Sequence, residues 1–270
     1  LVRGFFYIRD RQNDLELREL QIKRYMMQGT FYVIGVGPGD PGLMTLNAVR
    51  TLEKCDVWFA PSAFRHGESM ALNIAGGEVD STGKTILTHH FPMKQVHRGQ
   101  RPEEEVGQAW REAADTILGY LQSGKDVAFP TLGDPAIYST GFYVCETLEK
   151  IGQPFNVKII PGVSAIGASS AVTETPLCLG DEKLVVIPAT FEDCEIEKVL
   201  QVSDTVVFMK VHKVMAQLVK LLDGLDLLEN AVLVERCSLG DEKIWPDIRQ
   251  AVGKEIHYFS TIIVRQKKLR

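Results

Sequence analysis

The sequence predicts an α/β fold of two lobes, and three observations carry that prediction. Short runs rich in β-branched and aromatic residues alternate with segments whose apolar residues recur at helical spacing, the pattern of strands joined by helices. Glycine-containing loops, GVGPGD, TLGDP and PGVS, follow three of the predicted strands. A length of 270 residues suits two domains at about 150 residues each.

Residues 1–28 read as a charged N-terminal extension that includes Arg9, Asp10, Arg11, Asp14, Glu16, Arg18, Glu19, Lys23 and Arg24. The interleaved acids argue against a transit peptide. With Leu1 in first place and Met26-Met27 directly before the first strand signal, two expectations stand: a start written too far upstream, or a native helical extension. The first strand is Phe31 to Ile34. Leu43, Leu46, Val49 and Leu52 then mark a helix, with Asp40 as N-cap and Pro41 at the first helical position. A second strand, Val57 to Ala60, is stopped by Pro61.

Beyond a polar, glycine-rich region, Val106, Ala109, Trp110, Ala113, Ile117 and Leu121 predict a long amphipathic helix that ends at Gly124. The alternation then repeats: strand Val127 to Phe129, a helix around Tyr143 and Leu148, strand Val157 to Ile160, and a small-residue helix through Ala171. Thr175 to Lys183, with Pro176, Gly180 and a charge cluster, reads as the boundary between a lobe of residues 29–178 and a lobe of residues 179–270. The second lobe's strands are Leu184 to Ile187, Val206 to Met209, Ala231 to Val234 and Ile262 to Val264.

Hydrophobic residues at 45% and charged residues at 24% are a globular balance, which excludes a disordered or collagen-like chain. Thirty Lys plus Arg against 35 Asp plus Glu leave a net charge of −5, which argues against a general binder of nucleic acid or membrane surfaces. Cys55, Cys145, Cys178, Cys194 and Cys237 are scattered and never form a C-x-x-C pair, so a reduced, cytoplasmic protein is expected. No apolar run reaches the ~20 residues of a membrane helix, and no signal peptide is read.

Gly37, Gly39 and Gly42 formally satisfy G-x-G-x-x-G, the fingerprint in which small residues let main chain approach a pyrophosphate. A nicotinamide site also wants an acid at the end of the second strand. Asp56 precedes that strand, and its end is Ala60-Pro61, so a dehydrogenase or plain nucleotide-binding module survives only as an alternative of a different class. Three glycine loops at strand ends point instead to one ligand crevice.

GVGPGDPGLMTLNAVRTLEKCDVWFAP, FPTLGDPAIYST, IIPGVSAIGASSA, VVFMK and VLVERCS, in this order, resemble the tetrapyrrole (corrin and porphyrin) methylases that use S-adenosylmethionine. More narrowly, FPMK, LGDPAIYST, the PL…GDEKLVVIPA stretch and YFSTIIV resemble the precorrin-2 C-20 methyltransferases of cobalamin synthesis. The resemblance implies the two-lobed α/β tetrapyrrole methylase fold, a homodimer, and a donor folded into the crevice between lobes. It also implies methyl transfer to C-20 of precorrin-2 or cobalt-factor II, leaving S-adenosylhomocysteine. Relatives acting at another ring position, on RNA or on protein are the alternatives within the fold.

Carried over by motif, the donor contacts implied are Pro38 in the first loop, Gly133, Asp134 and Ile137 in the second, Ser164 and Ala165 in the third, Met209, and Cys237. Relatives acting on uroporphyrinogen carry an aspartate proposed as a base where this chain has Pro61, so no catalytic base is assigned. His89, His90, Lys94, His97, Arg98 and Arg101 form the most basic stretch. It reads either as a solvated loop or as a clamp for ring carboxylates through Lys94, Arg98 and Arg101, with Lys210, His212 and Lys213 as further candidates. The histidines lack tight ligand spacing, so no metal site is expected.

Overall fold

The computed structural model describes residues 28–62, 68–92, 94, 96, 99–189 and 193–267, the side chains of 193–195 excepted. The expected extension, 1–28, lies outside the described residues apart from Gln28. Two compact units divide the chain. One holds Thr45–Pro161 with the chain up to Gly35, and the other holds Val36–Met44 with the chain from Gly162 onward.

The first unit is built on a five-stranded sheet of order β3-β2-β4-β1-β5, parallel throughout. Its strands are β1 (Thr30–Gly35), β2 (Val57–Ser62), β3 (Thr85–His90), β4 (Val127–Thr131) and β5 (Asn156–Ile160). The helices are α1 (Leu46–Lys54), α2 (Met70–Glu78), α3 (Glu104–Gln122) and α4 (Thr140–Ile151). Alternate residues of the central strands, Phe31, Val33, Phe59 and Phe129, pack with Ala113, Ile117 and Leu121 of α3 and Val144 and Leu148 of α4. Each large side chain taken from water there contributes about 1.5–3 kcal/mol. Glu104 and Glu105 occupy the first turn of α3, where the helix dipole favours acids.

Two local expectations change. The turn capped by Asp40 is a separate 3-10 turn, Pro41–Leu43, and α1 begins later, where the Thr45 side chain accepts the Ala48 N–H. Pro61 lies inside β2 rather than ending it. The ladder to β4 is confined to Val57 and Trp58, whereas pairing with β3 runs from Val57 to Ser62, so the missing N–H falls beyond the β4 ladder. The strand order also bears on the glycine fingerprint, because β1 lies between β4 and β5 rather than beside β2. A dinucleotide-binding unit sets its first two strands side by side.

The second unit holds α5 (Ala165–Val172), β6 (Leu184–Pro188), α6 (Asp193–Val202), β7 (Thr205–Met209), α7 (Met215–Gly224), β8 (Ala231–Glu235), β9 (Lys243–Trp245) and β10 (Ser260–Arg265). Its sheet has the order β6-β7-β10-β8-β9. β6 and β7 are parallel, and the other pairs are antiparallel. Phe208, Leu233 and Ile262 project into a core with Leu218 and Leu222 of α7.

The contacts place α5 and the segment after it in this unit, so its limit falls at Pro161–Gly162 instead of between residues 178 and 179. Ala168 of α5 packs with Val234 and Cys237. Buried Arg265 of β10 donates to Pro176 O (2.5 Å) and to both carboxylate oxygens of Glu182 (2.7 and 2.8 Å).

Candidate functional site

The face of the second sheet opposite its main core gathers most of the expected donor contacts. Register places Met209 and Val234 on either side of Thr261, and directly paired residues point to one face. Phe208, Leu233 and Ile262 point the other way, into the core. On the Met209 face, Val234, Cys237 and Ala168 form a small buried cluster with partly buried Leu43 and Val163 packed on it. The loop holding Pro38, the turn holding Ser164 and Ala165, and the end of β8 thus share one apolar base.

Each piece has a local cause. Ser164 caps α5, its hydroxyl accepting the Gly167 N–H at 3.2 Å. Pro38 is buried in a loop whose turn is closed by Gly42 N–H to Asp40 Oδ1 at 2.8 Å. That loop is fastened to the β8 corner by the Asp40 N–H, which donates to Ser238 Oγ at 3.1 Å. Gly39 is needed there, because a Cβ would lie 2.7 Å from Leu239 Cγ and 2.9 Å from Ser238 Oγ. Burial pushes the Cys237 thiol up to about 11, which keeps it neutral at pH 7 as it packs against Ala168 and Val234.

Backbone strain collects at the strand ends around this face. Lys210, Arg236 and Ser238 adopt φ of 61°, 49° and 62°, a left-handed conformation that side-chain-bearing residues avoid elsewhere. Lys210 follows Met209, and its ammonium stands 5.6 Å from the centre of the Tyr258 ring. Arg236 pairs with Asp241 at 2.6 Å and faces Nε2 of His257 at 3.2 Å. Burial, and then the Arg236 charge, lower the proton affinity of His257. Buried Glu235 accepts the Trp245 indole N–H at 2.6 Å and the His257 N–H at 2.8 Å.

Gly133, Asp134 and Ile137 belong to the first unit, in the loop between β4 and α4. Gly133 is buried at φ 72°. Asp134 Oδ1 accepts the Ala136 N–H at 2.8 Å, and the Ile137 N–H returns to Asp134 O at 3.2 Å. Tyr138 is left-handed at φ 52° and half exposed, which the loop's sequence did not announce.

The basic stretch is not one loop. His89 and His90 lie in β3, where the His89 ring stacks on Phe59, meets Phe91 edge-on and faces Ala109 O at 3.0 Å. Lys94 is paired with Glu103 (2.7 Å) and Glu105 (2.9 Å). Arg101 is exposed, while His97 and Arg98 lie outside the described residues. Among the described residues no cluster of three or more His, Cys, Asp or Glu could hold a metal ion, and no helix is long and apolar enough to cross a membrane.

Ser238, Glu235, Trp245 and His257 escaped the sequence reading. Nothing local in VLVERCS marks its serine as the partner of an amide 198 residues away.

A family model described as tetrapyrrole (corrin/porphyrin) methylases matches residues 30–251. The chain is 33% identical over 242 residues to the cobalt-precorrin-2 C(20)-methyltransferase of Salmonella typhimurium, covering 89% of this chain and 98% of that one. It is 34% identical over 213 residues to the probable cobalt-precorrin-2 C(20)-methyltransferase of Methanocaldococcus jannaschii, covering 79% and 85%. Among solved structures it is similar to the uroporphyrin-III C-methyl transferase of Thermus thermophilus complexed with S-adenyl homocysteine, with a TM-score of 0.60, 18% identity, and 88% and 92% of the chains covered.

Proposed function

The chain belongs to the tetrapyrrole (corrin/porphyrin) methylases, and from that premise we propose that it methylates C-20 of precorrin-2 or its cobalt-bearing counterpart in cobalamin synthesis, with S-adenosylmethionine as donor. The observation that carries the ring position is the likeness, along most of both chains, to two relatives named for C(20) methylation of cobalt-precorrin-2.

The residues on the Met209 face suit such a donor. Leu43, Val163 and Met209 offer apolar surface. Main chain of the first loop lies close by, with Gly39 letting it seat against Leu239 and Ser238, and the Ser164–Ala165 turn adds a hydroxyl. Held there, the donor would supply an activated methyl group on a positively charged sulfur, for transfer to C-20 in exchange for the C-20 proton, leaving S-adenosylhomocysteine. The chain's part is to hold the two reactants in line, which by itself lowers the barrier. Arg101 and Lys210 are the proposed partners of ring carboxylates. Lys94 already has two acids of its own chain beside it, so the clamp proposed for Lys94, Arg98 and Arg101 rests mainly on the arginines.

The test offers the purified protein metal-free precorrin-2 and cobalt-factor II separately, with carbon-13 methyl-labelled S-adenosylmethionine, and locates the label by NMR. Label at C-20 in one or both is expected. Label at another carbon, or transfer to neither, overturns the proposal.

A further inference from the structure

We infer that Ser238 is a positioning residue for the methyl donor: its hydroxyl fastens the first glycine loop to the β8 corner and so sets donor affinity. The inference rests on the donor reading above, because the fastened loop is the one holding Pro38. Three bonds shape this loop from within: Gly42 N–H to Asp40 Oδ1 (2.8 Å), Leu43 N–H to Asp40 O (2.9 Å) and Met44 N–H to Pro41 O (2.9 Å). They fix its curl, and Leu43 rests the loop's far end on the Ala168, Val234 and Cys237 cluster. The bond from Asp40 N–H to Ser238 Oγ at 3.1 Å is the polar fastening that joins the loop's turn to the β8 corner.

The corner is built to present that oxygen. Ser238 stands at φ 62°, where glycine would sit with less strain but would have no hydroxyl. Its own N–H donates to Glu242 Oε2 at 2.6 Å, and the Leu239 N–H closes on Arg236 O at 3.0 Å. The serine is therefore held from both sides in a disfavoured conformation, and backbone strain of this kind is retained where the surroundings over-determine it. Gly39 closes the arrangement, since a Cβ there would meet Leu239 and Ser238 Oγ inside 3 Å.

A loop released from this bond populates its binding-competent position less, and apparent affinity falls by that fraction. One neutral hydrogen bond corresponds to roughly a three- to tenfold change in an equilibrium. Ser238→Gly removes the hydroxyl while relieving the backbone, and Ser238→Thr keeps the hydroxyl while adding strain. We expect Ser238→Gly to bind S-adenosylhomocysteine roughly three- to tenfold more weakly by calorimetry, with faster hydrogen exchange at the Asp40 amide and no loss of Tm. Ser238→Thr should lose Tm but keep donor affinity and Asp40 protection near those of the parent.

Parental affinity in Ser238→Gly overturns the inference, as does affinity that simply follows Tm across the two variants. A parent protein that takes up no S-adenosylhomocysteine overturns the donor reading instead, and the inference with it.

Discussion

The two units turn their chain corners with different residues. In the first, the left-handed corners are Gly83, Gly99, Gly124, Gly133 and Gly152, with Tyr138 alone among the described residues carrying a side chain. In the second, Glu174, Lys210, Asp226, Arg236 and Ser238 take that conformation beside Gly37, Gly180 and Gly253. A non-glycine residue there costs about 1–2 kcal/mol, less for Asp and Asn. The second unit tolerates this at Lys210, Arg236 and Ser238, where β7 and β8 end beside Met209 and Cys237. The first unit relies on a parallel sheet and an aromatic core, whereas the second adds buried charged groups, Arg265 with Glu182 and Glu235 with Trp245.

The largest test of this contrast removes a charge from the second unit. Arg265→Met leaves Glu182 without its bidentate partner and Pro176 O without its donor. A loss of about 3–5 kcal/mol is expected, read as a shifted urea midpoint, and adding Glu182→Leu should return most of it. A loss below about 1 kcal/mol would show that the pair is not a fastening of the unit.

A medium effect follows from exchanging corners. Gly152 is a left-handed helix end with no atom within 4 Å of an added Cβ, so Gly152→Ala should lose about 1 kcal/mol from conformation alone. Asp226→Gly, at an exposed corner at φ 57°, should instead gain a few tenths of a kcal/mol. Thermal unfolding of both variants checks the opposite signs. Equal signs would mean that packing, not φ, decides which residue turns these corners.

The smallest effect concerns His89, whose proton affinity is lowered mainly by burial. Its folded value lies below the unfolded one, so the unfolded chain binds the proton more readily. The stability this contributes is complete above the unfolded value of about 6.5 and is lost as pH falls from there through the folded value. The parent's urea midpoint should fall between pH 7.5 and 5.5 more steeply than that of His89→Gln, by a few tenths of a kcal/mol. Parallel profiles would mean that the ring titrates as it does in the unfolded chain.

The first unit's central strands were legible because strands of a buried parallel sheet are apolar runs, as Phe31 to Ile34 and Val127 to Phe129 are. β3 was missed because THH reads as polar, although its His89 packs among aromatic rings. β9 has three residues, too few for a period, and α2 hides behind Gly76 and Gly77 near its end. The misplaced boundary has a similar origin. Pro176 and Gly180 look like a linker until Arg265 is seen to hold Pro176 and Glu182, 89 and 83 residues away in the chain. At the candidate site, glycines announced the loops, but the serine that fastens the first of them is a long-range partner with no local signature.

The short passage Val36–Met44 gives the second unit a piece of chain that precedes nearly all of the first. No single cut therefore yields two intact halves, since a fragment ending at Pro161 would carry the glycine loop without the corner that seats it. A chain growing from its N-terminus presents Asp40 long before Ser238 has been added, 198 residues later. The sheet β3-β2-β4-β1-β5 can assemble meanwhile, but the loop's seat must wait until β8 has formed. Closing so long a loop adds an entropy cost that grows with the logarithm of its length. The proposed donor seat therefore needs both ends of this 198-residue span, and a truncated translation product would carry the glycine motif without the Ser238 corner.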